Sequence, residues 1–325
     1  MGAFNMSFIS NDYINSIERG YGDSDKKLCH ECIGNKSLKE YIKANGYVCT
    51  CDYCGQRRKA VNLDSFMVII MSGVNFLYTH AVNELPCDSG EYIGKTYTTA
   101  QLIFEELRDE IDAQDERILK DIVEIMYDDI WCDADPFSDR EEDVAYYDWQ
   151  SFCKMVKEKV RYVFYRATPD TSFNENPTTI LDTLAYYAER VRLDRRIDKN
   201  TKMYRCRTHE NDEWRTAYAD FAPPPPWVAT SGRMNAAGIN VLYLTLDPNT
   251  ALCETRTSGR DYATIASFRV TESIRVLDLT KIKKMSIPSI FDEDNRHNRS
   301  PVMFLQKFAE NISQPRSNKN IDIEY

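Results

Sequence analysis

The apolar positions of this chain change rhythm near residue 200. Before it they recur at helical spacing. Phe66–Val82 is apolar on nearly every side, as in a helix buried within a bundle. Thr98-Thr99-Ala100-Gln101 has the form of a capping box, followed by Leu102, Ile103 and Leu107. Further stripes comprise Ile118, Leu119, Ile122, Ile125 and Met126, then Trp149, Phe152, Val156, Val160 and Val163, then Leu181, Leu184, Ala185 and Ala188. Each predicts a helix whose apolar face packs into a core.

Beyond Asp198-Lys199-Asn200 the elements become short and mixed. Lys202–Cys206 reads as a strand, and Val241–Thr245 as a buried strand by length and composition. Asp247-Pro248 reads as an N-cap with proline at the first helical position, starting a helix through Ala251, Leu252, Cys253 and Glu254. Tyr262–Val270 alternates, Arg275–Leu279 is strand-like, and Pro301–Glu310 returns to helix. The fold class is therefore α+β. Three segments are expected: a zinc-knuckle segment over 1–62, a helical bundle over 63–198, and an α+β domain over 199–325.

Composition places these elements in an ordinary globular chain of 325 residues, 42% hydrophobic and 28% charged. Its net charge of −10 argues against broad affinity for nucleic acid or an anionic membrane. The deficit is local: residues 84–148 hold 21 acidic and 5 basic side chains, whereas 149–325 hold 22 acidic and 27 basic. The acidic block reads as solvated helical surface and as one candidate partner surface. The mild positive balance that follows suits an anionic small molecule. Met1–Asn15 lacks a signal-peptide pattern, and Phe66–Leu77 is too short to cross a bilayer. Cytoplasmic localisation is expected.

Half of the ten cysteines fall between residues 29 and 54. Cys29-His30-Glu31-Cys32 and Cys51-Asp52-Tyr53-Cys54 are two C-x2-C knuckles at the spacing of a four-thiolate zinc site, with Gly55 supplying the turn after the second. Such a closed site is structural. His30 and Cys49 are alternative ligands. Arg57, Arg58 and Lys59 would serve a nucleic-acid-reading ribbon, a reading the acidic surroundings disfavour.

Ribonuclease chemistry of the Arg-x4–6-His kind finds no support. His80 has no arginine in the preceding eight residues, and Arg205-x3-His209 has the wrong spacing. The polar residues after 200 offer something else. Arg205 sits in a strand, Arg233 on a glycine-flanked loop, Tyr243 in a strand and Glu254 on the next helix. Two guanidiniums, a phenol and a carboxylate can together hold an anionic, aromatic-bearing molecule. Alternatively, Arg205 and Glu254 form a structural ion pair, Tyr243 belongs to the core and Arg233 is a solvated loop residue.

The ordered motifs Tyr204-Arg205-Cys206-Arg207, Gly232-Arg233-Met234-Asn235-Ala236-Ala237-Gly238, Val241–Leu244 and Ala251-Leu252-Cys253-Glu254 resemble the RES domain, over roughly residues 200–325. Residues 25–190 resemble the cysteine-knuckle and HEPN-like helical extension that precedes some RES domains. The resemblance implies an ADP-ribosyltransferase-like fold and an NAD⁺-consuming toxin of a toxin–antitoxin or phage-defence system. Such an enzyme cleaves the nicotinamide–ribose bond by hydrolysis, phosphorolysis or ADP-ribosyl transfer. It further implies an antitoxin or trigger protein as partner. Arg205 and Arg233 would grip NAD⁺, Tyr243 would lie beside the nicotinamide, and Glu254 would be the family's glutamate.

Two departures qualify that resemblance. Met234 stands where many relatives have tryptophan. The family's named serine has no match, since Ser300 and Ser313 lie too early, so the carboxy-terminal domain is read as incomplete. The alternative function is an inactive module that binds nucleotide or a partner and keeps its structural zinc.

Overall fold

The structure, a computed structural model, describes residues 19–158, 179–230, 235, 238–255 and 262–313. It is a mixed helix-and-sheet protein of two units. One falls within Met1–Glu141 and Ser286–Ser300, the other within Glu142–Met285 and Pro301–Tyr325.

The first unit begins with a three-stranded antiparallel sheet: β1 (Lys27–Cys29), then helix α1 (Lys36–Asn45), β2 (Tyr47–Thr50) and β3 (Arg57–Asn62), with β3 in the middle. The Asn35 side chain caps α1 by accepting from the Ser37 and Leu38 amides at 2.9 and 3.2 Å. Helix α2 (Leu63–Leu77) buries Phe66, Met67, Ile69, Ile70, Met71 and Val74. Gly73 lies on the same side, where a Cβ would collide with the Phe291 ring.

The apolar run of Phe66–Val82 is not one helix. At Tyr78 the chain turns extended as β4 (Tyr78–His80), and Val82 is exposed. An aromatic and a β-branched residue there find a pairing edge on β6 (Ile130–Asp133), which also pairs β5 (Tyr97–Thr98). The capping box forms: Thr98 Oγ1 accepts from the Gln101 amide at 3.2 Å, and the Gln101 side chain accepts from the Thr98 amide at 3.0 Å. Helix α3 (Glu116–Ile125) packs Ile118, Leu119 and Ile122 into this unit's core, as its stripe predicts.

In the second unit, helices α4 (Glu141–Glu158), α5 (Thr179–Arg190) and α8 (Arg299–Ser313) share a core of Trp149, Phe152, Ile180, Tyr187, Phe304, Leu305 and Phe308. The α5 face keeps Leu184 and Ala188 of the expected stripe but is shifted toward Ile180 and Tyr187. Ile180, Tyr187 and Ala188 are buried, while Leu181 and Ala185 are exposed. Tyr187 supplies the reason: its ring meets Phe304 edge-on, with centroids 5.7 Å apart. The Trp149 indole meets Phe308 at 4.8 Å and donates to Asn311 Oδ1 at 3.2 Å. Val160 and Val163 lie outside the described residues.

Two antiparallel ladders complete the second unit. β7 (Asp194–Ile197) pairs β10 (Ile274–Leu277), and β8 (Lys202–His209) pairs β9 (Tyr262–Arg269) along eight residues. Between β8 and β9 in sequence come the short helices α6 (Tyr218–Phe221) and α7 (Pro248–Glu254). Val241–Thr245 differs from its expectation. It makes a single bridge, Tyr204 with Thr245, and none of its residues is buried. The strand pattern found an edge at one point only.

Candidate active site and metal centre

The four knuckle cysteines converge. Their sulfurs all lie within 4.8 Å of one another, with Cys29–Cys32 and Cys29–Cys54 at 3.6 Å and Cys32–Cys51 at 3.8 Å. A tetrahedral ion with metal–sulfur bonds of about 2.3 Å has edges of about 3.8 Å. Four thiols at these spacings fit such an ion and leave no position for a substrate.

Local backbone bonds build this geometry. The Gly55 amide donates to Cys51 O and the Cys51 amide to Gln56 O, both at 2.9 Å, and Gly55 adopts φ +68°, which glycine accommodates. The Asp52 amide donates to Lys27 O at 3.0 Å, and the Lys27 amide to Asp52 Oδ2 at 2.6 Å, tying the second knuckle to β1. Burial pushes the Cys29 and Cys32 thiols up. Cys54 is held down at about 7: its slight burial opposes this, but hydrogen bonds from the Gln56 amide and neighbouring thiols prevail.

The two alternative ligands stay outside. His30 Nδ1 lies 3.1 Å from Lys59 O, and Cys49 is on β2 opposite Arg58. The knuckle is anchored on α3 through a residue that sequence reasoning missed. Asp121 is buried within the acidic block, accepting from Lys26 Nζ at 2.7 Å and the Tyr53 hydroxyl at 2.8 Å.

In the second unit, Arg205 lies mid-strand on β8. Its Nη1 donates to Phe221 O at 2.9 Å and Ala222 O at 3.1 Å, where α6 ends. Burial, and then the nearby Arg207, lower the guanidinium pKa. Among the described residues this half-buried cation has no carboxylate partner, and an anion would stabilise such a group. No ion pair joins Arg205 to Glu254 among the described residues, so the structural-pair alternative is not the arrangement found.

Two contacts flank Arg205. On one side Tyr204 bridges Thr245, two residues after Tyr243. On the other, Cys206 Sγ accepts from Thr255 Oγ1 at 3.9 Å, directly after Glu254. The segments carrying Tyr243 and Glu254 are thus attached either side of Arg205. Tyr243 is 43% exposed rather than core, and its hydroxyl donates to Asn235 Oδ1 at 2.6 Å.

Glu254 closes α7 with an exposed side chain. That helix starts as expected, with Asp247 accepting from the Thr250 amide at 2.7 Å and Pro248 at the first position. Arg233 lies outside the described residues. His209 is fully engaged, with Nδ1 2.6 Å from Asn211 O and Nε2 2.9 Å from Thr264 Oγ1. Asn235 was not singled out from sequence. An asparagine in a glycine-bearing loop is ordinary turn chemistry, and only its burial marks it.

Comparison with known families finds two matches along the chain. The RES domain matches residues 202–318, and HEPN/RES N-terminal domain 1 matches residues 44–170. No curated protein matches the chain, and no solved structure does.

Proposed function

We propose that this RES domain protein, carrying a HEPN/RES N-terminal domain, consumes NAD⁺ by breaking the nicotinamide–ribose bond. The observation that carries the reading is Arg205, a half-buried guanidinium without a carboxylate partner among the described residues, flanked along β8 by the attachments of the Tyr243 and Glu254 segments. Arg205 Nη1 is committed to backbone carbonyls, which leaves Nε and Nη2 for a pyrophosphate oxygen. Arg233 would be the second grip.

In the reaction the C1′–nitrogen bond breaks and nicotinamide leaves with the electron pair. The ribose becomes oxocarbenium-like, and an oxygen nucleophile then bonds to C1′. Glu254 would stabilise the developing charge and orient the ribose hydroxyls. Tyr243 would hold the departing ring. Holding the scissile bond in place contributes several kcal/mol of such barriers. The nucleophile is water, phosphate or a protein side chain.

The four cysteines would hold a structural zinc ion, which supplies cross-linking of the first unit rather than chemistry at the ribose. A chain that consumes NAD⁺ needs restraint, and an antitoxin or trigger protein in the cytoplasm would provide it. Ten free cysteines suit that reducing compartment. Among the described residues no helix is long and apolar enough to cross a membrane.

The test is NAD⁺ loss with purified protein and on expression, comparing wild type with Glu254→Ala and Arg205→Ala. Depletion by wild type and not by the variants is expected; no depletion by any of them overturns the reading. The bonds from Arg205 to Phe221 and Ala222 favour a second reading, in which this arginine serves the fold and the domain binds nucleotide without turnover. Calorimetry alongside nicotinamide release separates the two.

A further inference from the structure

Ser286–Ser300 lies in the stretch that the RES domain matches, yet it packs in the first unit, while Met285 and Pro301 on either side fall in the second. Ile290 and Phe291 are 0% and 2% exposed within the first unit's core. Phe291 lies so close to Gly73 of α2 that a Cβ there would come within 2.4 Å of its ring. Arg296 Nη1 donates to Ser72 O at 2.8 Å and to Ser72 Oγ at 3.0 Å, and its guanidinium stands 4.8 Å from the Phe76 ring centroid. The Ser72 hydroxyl donates in turn to Glu293.

This anchorage reaches the knuckle. The Gln114 amide donates to Cys32 O at 2.9 Å and the Gly34 amide to Asp112 O at 2.6 Å. Asn35, three residues after Cys32, donates through Nδ2 to Glu110 O at 2.7 Å and to Ser289 Oγ at 3.0 Å. The Glu110 carboxylate pairs with Arg299 Nη2, and Arg299 Nη1 donates to Pro288 O at 2.9 Å. Arg299 opens α8, the helix that carries Phe304, Leu305 and Phe308 of the second core. Hydrogen bonds and one ion pair therefore lead from the Cys32 turn to the first turn of α8, all of them within the first unit.

We propose that residues 286–300 form a strap by which the metal-holding unit governs α8, so that loss of the knuckle's metal loosens the strap and, through Arg299, the start of that helix. Only the effect on catalysis rests on the NAD⁺ reading above. Metal binding at a closed thiolate site is folding free energy for the chain around it. Without the ion the stretch from Cys32 to Asn35 loses its tether, and Ser289 and Glu110 lose a donor held in place by it. Amide exchange registers such partial openings element by element. Linkage is reciprocal, so weakening the strap weakens metal binding by the same factor.

The test is hydrogen exchange on the full chain loaded with zinc, before and after removal of the ion with EDTA. Removal is expected to raise exchange about tenfold or more at 286–300 and in the first turns of α8, and much less in the β8–β9 ladder. An equal rise in every element would make the metal a general stabiliser and overturn the proposal, as would an α8 that does not respond. A wild type that holds no zinc overturns it as well.

Arg299→Met keeps the aliphatic stem but loses the bonds to Glu110 and Pro288. It should still take up zinc, show less than about half of the wild-type rise in α8 on EDTA treatment, and yield its ion to a competing chelator several-fold more readily. An undiminished rise, or an unchanged zinc affinity, overturns the strap's part. If Arg299→Met does not fold, Ser289→Ala, which deletes one bond from Asn35, carries the same comparison with smaller shifts. Where wild type consumes NAD⁺, EDTA should lower its rate more than that of Arg299→Met relative to each untreated protein. A wild type that consumes none sinks the NAD⁺ reading, while the exchange data still decide the strap.

Discussion

Tyr204 and Thr245 exchange both of their backbone hydrogen bonds, Tyr204 N to Thr245 O at 2.8 Å and Thr245 N to Tyr204 O at 2.9 Å. This single antiparallel bridge fastens the Val241–Thr245 segment to β8 next to Arg205. No ladder continues from it, and the Thr245 hydroxyl adds one longer bond to Tyr204 O at 3.4 Å.

Thr245→Pro removes the amide bond to Tyr204 O, since proline has no amide proton, and with it the hydroxyl's bonds to Tyr204 O and Asp247 O. The β8–β9 ladder does not use that amide and should persist. NAD⁺ consumption is expected to fall by tenfold or more, at a stability cost of about 1–3 kcal/mol. Steady-state kinetics alongside urea unfolding checks both. A variant that loses the same stability but none of its activity would detach the Tyr243 segment from the proposed site.

Metal removal should act on the first unit. A chelator, or Cys32→Ser, is expected to abolish stoichiometric zinc and destabilise the protein by several kcal/mol, because binding at a closed four-thiolate site is folding free energy. Metal analysis with thermal melts measures this. Zinc retained at one ion per chain in Cys32→Ser would exclude the four-thiolate arrangement.

Gly73→Ala should destabilise the protein by about 1–3 kcal/mol, as overpacking does. The new methyl meets the Phe291 ring. Gly73→Ala combined with Phe291→Leu, which removes the ring in the way, should recover part of the loss.

The cap of α7 makes stability depend on pH. Hydrogen bonds from the Thr250 amide, and then from its hydroxyl, hold the Asp247 carboxyl below its usual range. A carboxyl whose pKa is lower in the folded state stabilises fully above its unfolded value, near about 4, and loses that contribution as pH falls through the folded value. Asparagine caps comparably without titrating. Relative to Asp247→Asn, wild type should therefore lose stability below about pH 4 and remain level with it at neutral pH, as denaturant midpoints across pH would record.

Much of the candidate site was legible because its signals are local. Two cysteines three apart point at one ion, and the Asp247 cap closes within three residues. The α3 stripe follows the helix period, so its buried face could be counted off. The family motifs likewise named Arg205, Tyr243 and Glu254 one by one. What they could not say is that Arg205 would spend Nη1 on two carbonyls, or that Tyr243 would stand half-exposed on an unladdered segment.

Only tertiary structure decided where distant partners meet. Helix α2 stops at Leu77 because β6, more than fifty residues later, offers an edge to Tyr78–His80. The buried face of α5 is set by the Tyr187–Phe304 contact rather than by its own period, which fits either register. Asp121 looks like one acid in an acidic run until Lys26 and Tyr53 arrive from the knuckle. Local periodicity and capping act within a turn or two and are written in adjacent residues. A buried polar group is instead satisfied by whichever chain the fold brings past it, so its partner is decided only when the packing is.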